Sequence, residues 1–483
     1  MIEFFRRIRQ NQIMENQTGR YLGKYRYTNT INLMQQQLFS YVFFLFFLSF
    51  LQAQTPQQSY FEWTELPFGK EELTQRRDNL VSQLKTQNKT GLVLIPAKDG
   101  FSYGETFRQL DDFYYFTGLE LPNAILAIEI ANGNTIVFTP EMDKRFHSKS
   151  RPNDFPGRPL LNDPEVTSES GLLLKNIADF AAFVASKAST SILVNNGREG
   201  NMLFASNEYI ATHSPVQVLM QALKTKHNIS KFENSYKAIA EVRMIKSRAE
   251  IEIMKKASSI TLKSIKEAAK SIQPGIDERY LEGVLEGHYK KLGAQRLAFG
   301  SIIKSGPNAL WPWRILATHY NRRNRIMEAG DLVIFDVGCE YNNYVSDMGR
   351  TFPVSGKFTP RQKEILTMEV GVADQIIAYV KPGITFKDIR KLTDKIIPED
   401  AKKYMQVGLF FGHHLGLSTG DPDLPEAVLK PGMIFTVEPW YYNHDEQLSV
   451  FTEDIVLVTE NGCEVLSKKL PRTPEALEQL MKQ

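Results

Sequence analysis

The sequence predicts two domains, a smaller α/β domain followed by a larger α+β domain. The chain has 483 residues, which is enough for both. In the first half, helical and strand patterns alternate: a helix over 71–85 is followed by strands over 91–96, 124–130, 135–138 and 191–194. In the second half, helices come in pairs and strands follow one another, which is typical of α+β domains. We predict a leader over 1–53, an N-terminal domain over 54–238 and a C-terminal domain over 239–483.

The composition is that of a folded protein without a strong charge bias. Hydrophobic residues make up 42% and charged residues 23% of the chain, and the net charge is +3. This balance gives no field that favours nucleic acid, so we expect no nucleic-acid partner. The two cysteines, Cys339 and Cys463, cannot form a disulfide framework, and we expect both to be buried apolar residues, with a single disulfide between them as the alternative.

The N-terminal segment predicts export. An uncharged apolar run from Leu38 to Leu51 is followed by Ala53, a small residue suited to signal cleavage. The run is shorter than the ~20 residues that span a bilayer. We therefore expect a signal peptide, a mature chain that begins near Gln54 without a stable membrane span, and a periplasmic or secreted protein. An uncleaved membrane anchor is the alternative.

Helix signals organise the start of the second domain. Ser247 is a candidate N-cap, and Glu250 stands three residues later as its capping-box partner. A long helix is predicted from there towards Pro274. Further helices are predicted over 277–292 and 360–380, and strands continue to about residue 459.

Acidic residues interrupt apolar strands at two places. Asp336 lies in the run DLVIFDVG, and Asp347 follows eleven residues later, after a turn at YNN. In an antiparallel hairpin with an even loop, this spacing projects both side chains from one face. Two such carboxylates repel each other unless a proton or cation lies between them. A lone buried Asp is often structural, but two on one face favour a metal site.

A second acidic pair follows the same rule. Glu438 ends the strand IFTVE and Glu453 lies fifteen residues later, which again fits one face of a hairpin. Between the pairs lies His413 in GHHLG, where Gly412 permits a tight turn. Carboxylates with one or two imidazoles fit divalent ions such as Mn²⁺, Co²⁺ or Zn²⁺. Bridging carboxylates can hold two such ions about 3.5–4 Å apart in a hydrolytic site.

The ordered set Asp336, Asp347, His413, Glu438 and Glu453 resembles the five-ligand pattern of the pita-bread metallopeptidases. FDVGCEYNNYVSDMGRTFPVSGKFT, VEP and TEDIVLVTENG match the motifs around the acids. RQLDDFYYFTG, over 108–118, is similar to the N-terminal domain of the aminopeptidase P branch. The resemblance covers most of residues 60–483 and implies an α+β pita-bread catalytic domain.

The resemblance implies an Xaa-Pro aminopeptidase with two divalent ions. Mn²⁺ is the expected metal, with Co²⁺ or Zn²⁺ as alternatives, and peptides with proline at position two are the expected substrates. Glu438 would bind metal and accept the proton of a bridging water. His319 corresponds to a histidine that contacts substrate, with an ordinary surface histidine as the alternative. A homo-oligomer is also expected.

Several positions depart from the family pattern. Leu409 and Gly420 replace histidines on either side of His413, Phe451 replaces an arginine and Gly349 a threonine, and Trp440 replaces a glycine. Such changes around metal ligands cost about 10–100-fold in affinity or activity, so we expect a slow enzyme. His414 and His444 are candidate substitutes for the missing histidines. A prolidase-like dipeptidase and a peptide-binding protein with little catalysis remain the alternatives.

Overall fold

The computed structural model describes residues 67–100, 107–141, 160–161, 164–187, 191–198, 214–229, 231–310, 324–405, 412–422, 424 and 426–482. The predicted leader, His319 and Leu409 lie outside these residues. Among the helices within these ranges, none is long and apolar enough to cross a membrane.

The N-terminal part is built on a six-stranded mixed sheet. Its strands are β1 (Leu92–Pro96), β2 (Ile125–Glu129), β3 (Thr135–Thr139), β4 (Leu173–Asn176), β5 (Ile192–Val194) and β6 (Phe232–Asn234). Its helices are α1 (Lys70–Thr86), α2 (Asp111–Thr117), α3 (Pro164–Ser170), α4 (Phe180–Ala185), α5 (Pro215–His227) and α6 (Tyr236–Arg243). The strand order is β4-β3-β2-β1-β5-β6, in which β1, β5 and β6 run parallel.

Local sequence accounts for the elements that were predicted here. The helix α1 buries Leu73, Leu80 and Leu84 on one face, at the helical spacing expected from the sequence. The strands predicted over 124–130 and 135–138 are β2 and β3, which pair as an antiparallel hairpin, and Gly133 in the turn between them adopts a positive φ of 76°. Residue 238, the predicted end of the N-terminal domain, lies inside α6, and the boundary itself stays a prediction.

The C-terminal part contains the remaining elements. Its helices are α7 (Arg248–Ala269), α8 (Glu278–Lys291), α9 (Pro360–Tyr379), α10 (Phe386–Ile396) and α11 (Pro474–Leu480). Its strands are β7 (Arg296–Leu297), β8 (Ile302–Ser305), β9 (Leu332–Val337), β10 (Cys339–Tyr341), β11 (Tyr344–Val345), β12 (Met348–Pro353), β13 (Ile434–Val437), β14 (Trp440–Asn443), β15 (Leu448–Phe451), β16 (Asp454–Val458) and β17 (Cys463–Val465).

Side chains cap the starts of α7 and α8, and the cap of α7 is the predicted one. Ser247 and Glu250 form the expected capping box at the start of α7. Asp277 caps α8. Both cysteines are free; Cys339 is buried as predicted, whereas Cys463 is only half-buried.

Two long hairpins form the centre of this part. In the first, β9 pairs with β12 and β10 with β11 in one continuous register, which turns at Asn342 and Asn343. These asparagines have φ values of 48° and 64°, as a two-residue hairpin turn with the right-handed strand twist requires. In the second hairpin, β13 pairs with β16 and β14 with β15, again in one register.

Candidate metal centre

The first hairpin places Asp336 and Asp347 on one face, as their spacing predicted. Asp336 pairs with Gly349 in the β9–β12 register, so Asp347 lies two residues from the position opposite it. Alternate residues of a strand share a face, and the two carboxylates are therefore diagonal neighbours.

The second hairpin brings Glu438 and Glu453 still closer together. Val437 pairs with Asp454, and Trp440 pairs with Phe451. Continuing this register from either side places Glu438 directly opposite Glu453. The expectation that the two glutamates share one face of a hairpin is confirmed by this pairing.

A short backbone bridge joins the two hairpins. The amide of Gly349 donates to the carbonyl oxygen of Glu453 at 3.3 Å, and the amide of Glu453 donates back at 3.0 Å. This bridge brings the face that carries Asp347 next to the face that carries Glu453. Four acids from two distant parts of the sequence thereby come together.

His413 is added to this group by a segment that lies along β13. Its amide donates to Thr436 Oγ1 at 3.1 Å, and the amide of Thr436 donates to its carbonyl oxygen at 2.9 Å. Gly412 permits the approach, because a β-carbon there would lie 1.8 Å from the carbonyl oxygen of Thr436. The Nε2 atom of His413 lies 3.5 Å from Asp347 Oδ2 and 3.6 Å from Glu438 Oε1.

Asp347, His413 and Glu453 form a compact donor set. One ligand atom from each lies within 4.8 Å of the others. Asp347 Oδ1 and both carboxylate oxygens of Glu453 are buried and receive no hydrogen bond from any described residue. A buried carboxylate without a donor is costly. These oxygens and the imidazole therefore fit a divalent cation.

The electrostatics of the acids agree with this fit. Burial raises the pKa values of Asp336, Asp347 and Glu453 well above the ordinary range, and repulsion among the acids adds to the effect. Burial also raises the pKa of Glu438 to about 8. No Lys or Arg of the described ranges forms an ion pair with these four acids. A bound cation would supply the missing positive charge.

His414 does not replace a missing histidine in the cleft. It pairs with Phe435, stacks on Phe386 with ring centroids 4.8 Å apart, and is 2% exposed. Phe435 points to the opposite face of β13 from Thr436, whose hydroxyl donates to Glu438 Oε1 at 3.0 Å. His414 is therefore on the far side of the strand from the acids.

His444 and Gly420 lie in exposed turns. His444 follows the last paired residue of β14, at the tip of the second hairpin and six residues beyond Glu438. Gly420 has no positive φ, and an added β-carbon there would meet no described atom within 4 Å. The turn at this position therefore does not require glycine.

Two supporting groups were not recognised from the sequence. Glu369 on α9 is fully buried and accepts a hydrogen bond from the amide of Tyr441 at 3.1 Å. Asp421 is buried between Arg243 and Lys246, at 2.6 and 2.8 Å, and so anchors the loop that follows His413. Both groups act between elements far apart in sequence, and a lone Glu within a helix gives no local signal.

The comparisons with known proteins place the chain in a family. It matches the family model of Metallopeptidase family M24 over residues 252–460. It is 34% identical over 257 residues to the Xaa-Pro dipeptidase of Pyrococcus furiosus, covering 52% of this chain and 70% of that protein. The chain belongs to metallopeptidase family M24. This M24 metallopeptidase also matches the model of the aminopeptidase P N-terminal domain over residues 73–147.

The similarity extends over both parts of the M24 metallopeptidase. The Xaa-Pro aminopeptidase of Escherichia coli is 26% identical over 456 residues, covering 86% of this chain and 98% of that protein. A Bacillus anthracis structure described as an aminopeptidase P has a TM-score of 0.72 and 25% identity, covering 86% of this chain and 99% of that one. The predicted architecture, a pita-bread catalytic domain after an aminopeptidase P N-terminal domain, is confirmed. The M24 metallopeptidase is a metal-dependent hydrolase of the aminopeptidase type.

Proposed function

We propose that this M24 metallopeptidase removes the N-terminal residue from peptides with proline at position two. The observation that carries the proposal is the set of buried carboxylate oxygens without donors at Asp347 and Glu453, beside the imidazole of His413. The similarity to an Xaa-Pro aminopeptidase over 86% of this chain supports the substrate class.

Two divalent ions fit the donor set. Asp347, His413 and Glu453 would hold one ion, and Asp336 and Glu438 would complete the site of a second. Four carboxylates with one imidazole favour Mn²⁺, with Co²⁺ and Zn²⁺ as alternatives. When bound, such ions lower the pKa of water and polarise the scissile carbonyl.

The chain's own residues orient the reactants. The hydroxyl of Thr436 donates to Glu438 Oε1 and fixes the carboxylate that would accept the proton of the attacking water. The side chain of His413 is 26% exposed while that of Asp347 is 5% exposed, so the donor set opens towards solvent on the histidine side. His319, outside the described residues, is proposed to contact the substrate carbonyl.

A slow enzyme is part of the proposal. Gly420 leaves no imidazole where the family pattern has one, and His414 faces away from the acids. A donor that acts on the developing oxyanion contributes mainly to the transition state, so its loss lowers kcat more than it raises KM.

A dipeptidase is the second candidate. The 34% identity to the Pyrococcus furiosus Xaa-Pro dipeptidase favours it within the catalytic part of the chain. An enzyme restricted to dipeptides would cleave Xaa-Pro but leave longer peptides intact. A peptide-binding protein with little catalysis would bind both without cleaving either.

One experiment separates these functions. The purified chain, loaded with Mn²⁺, is incubated with Xaa-Pro dipeptides and with longer peptides that carry proline or alanine at position two, and products are identified by mass spectrometry. Loss of one N-terminal residue from the longer proline peptides supports the proposal. Cleavage of dipeptides alone supports the second candidate, and no cleavage by a metal-loaded chain overturns both. Light scattering on the same sample tests for the expected homo-oligomer.

A further inference from the structure

Gly349 stands where the two acid-bearing hairpins meet. Besides its two backbone hydrogen bonds with Glu453, it is held by Arg350, a fully buried residue. One guanidinium nitrogen of Arg350 donates to the carbonyl oxygens of both Gly349 and Glu453, each at 2.6 Å. The strand that follows Asp347 is therefore fixed against the segment that contains Glu453 at this residue.

The ring of Phe451 occupies the space beside the α-carbon of Gly349. A β-carbon on Gly349 would lie 2.1 Å from Cε1 and 2.4 Å from Cδ1 of this ring. The ring is fully buried, and Trp440 packs against it with centroids 4.3 Å apart. Thr351 hydrogen-bonds both the amide and the carbonyl group of Phe451, at 2.8 and 2.9 Å. A side chain at residue 349 would therefore displace either the ring or the backbone bridge.

The contact lies directly beside the acids. Gly349 is two residues after Asp347 and Phe451 is two residues before Glu453, so each shares a strand face with its acid. Both also depart from the family pattern, which has a threonine and an arginine at these places. The two departures are complementary in size, because the absence of a side chain at Gly349 leaves the space that the ring of Phe451 fills.

We propose that Phe451, seated on Gly349, is a positioning residue for the metal site. Protein interiors are close-packed, so this contact fixes how closely the two hairpins approach. It thereby sets the separation between the carboxylates of Asp347 and Glu453. This inference depends on one part of the proposed function, namely that Asp347 and Glu453 bind metal.

A four-protein cycle tests the inference. The wild type, Gly349→Ala, Phe451→Ala and the double variant are stripped of metal, and Mn²⁺ affinity is measured by calorimetry while circular dichroism follows unfolding. Gly349→Ala is expected to weaken Mn²⁺ binding about 10-fold or more. The double variant is expected to bind more tightly than Gly349→Ala, because the added methyl group no longer meets a ring. The matched control is Gly371→Ala, at a glycine where an added β-carbon would meet no atom of the described residues within 4 Å. This variant is expected to bind Mn²⁺ as the wild type does.

Each outcome separates positioning from stability. The inference is wrong if Gly349→Ala unfolds at a lower temperature but binds Mn²⁺ with wild-type affinity. It is also wrong if the loss of Mn²⁺ affinity in the double variant equals the sum of the losses in the two single variants. If Gly349→Ala does not fold, Phe451→Leu replaces it, and an unchanged Mn²⁺ affinity in that variant overturns the inference. A wild type that binds no metal contradicts the proposed function instead.

Discussion

Glu438 lies directly opposite Glu453 in one antiparallel hairpin, between the pairs Val437–Asp454 and Trp440–Phe451 of a single register. Repulsion between two carboxylates that face each other in this way is removed by protons or by a cation. Asp336 and Asp347 repeat the arrangement diagonally in the other hairpin. The four acids of the two hairpins therefore require a positive charge that the described side chains do not supply.

Replacement of Asp347 by alanine should abolish most metal binding. Asp347 is nearest to His413 and has a buried oxygen without a donor, so both ions of the proposed pair depend on it. Elemental analysis after Mn²⁺ loading is expected to give about two ions per wild-type chain and close to none for Asp347→Ala. Asp400→Ala, at an exposed acid, should retain the wild-type stoichiometry. Equal metal content in Asp347→Ala and wild type would contradict the ligand assignment.

Glu369 should make stability depend on pH. Burial raises its pKa well above the ordinary value, so the folded chain keeps a proton that the unfolded chain releases above about pH 4.3. The raised pKa of Glu369 therefore contributes fully to the free energy of unfolding below that pH. This contribution is lost as the pH rises towards the pKa of Glu369 in the folded chain. Glu369→Gln keeps an oxygen to accept from Tyr441 without this proton linkage. In urea unfolding, it should be more stable than wild type at pH 8, and the difference should shrink towards pH 5.

The matched control for this test is Glu369→Ala. It removes the acceptor for the amide of Tyr441 and leaves a cavity, so it should cost about 1–3 kcal/mol at both pH values. If Glu369→Gln is less stable than wild type at pH 8, the carboxylate of Glu369 is charged in the folded chain and stabilises it, and the prediction is wrong.

Gly420→His should raise kcat on an Xaa-Pro peptide. An imidazole at this turn could donate to the charge that develops on the scissile carbonyl, an effect worth up to about 10²-fold. The backbone at Gly420 is compatible with a side chain, since its φ is not positive and no described atom lies within 4 Å of an added β-carbon. Steady-state kinetics of the histidine and alanine variants checks this. No gain from histidine, with alanine harmless, would mean that another group supplies the donor.

The mature protein should begin near Gln54. The apolar run from Leu38 to Leu51 and the small residue Ala53 motivate this prediction. N-terminal sequencing of protein from the native host, with fractionation of its compartments, is the measurement. A mature chain that retains residues before Leu38 in the cytoplasm would exclude cleavage and export.

The short-range spacing of residues in the sequence predicted much of the local structure in the catalytic part. The pairs Asp336–Asp347 and Glu438–Glu453 could be placed on common strand faces because a hairpin fixes its register over a short stretch of chain. The capping box of Ser247 and Glu250 was predicted for the same reason, since its partners are three residues apart. The leader, His319 and the identity of the metal stay predictions.

The sequence by itself determined which acids share a hairpin face, and its motifs showed the resemblance to the pita-bread metallopeptidases. Only the tertiary structure decided that Gly349 bridges to Glu453, that His414 faces away from the acids, and that Phe451 packs on Gly349. The physical reason is distance along the chain. A hairpin pairs residues through a short loop with its own preferences, whereas these contacts join segments as much as about a hundred residues apart. Their geometry depends on how whole strands and helices pack.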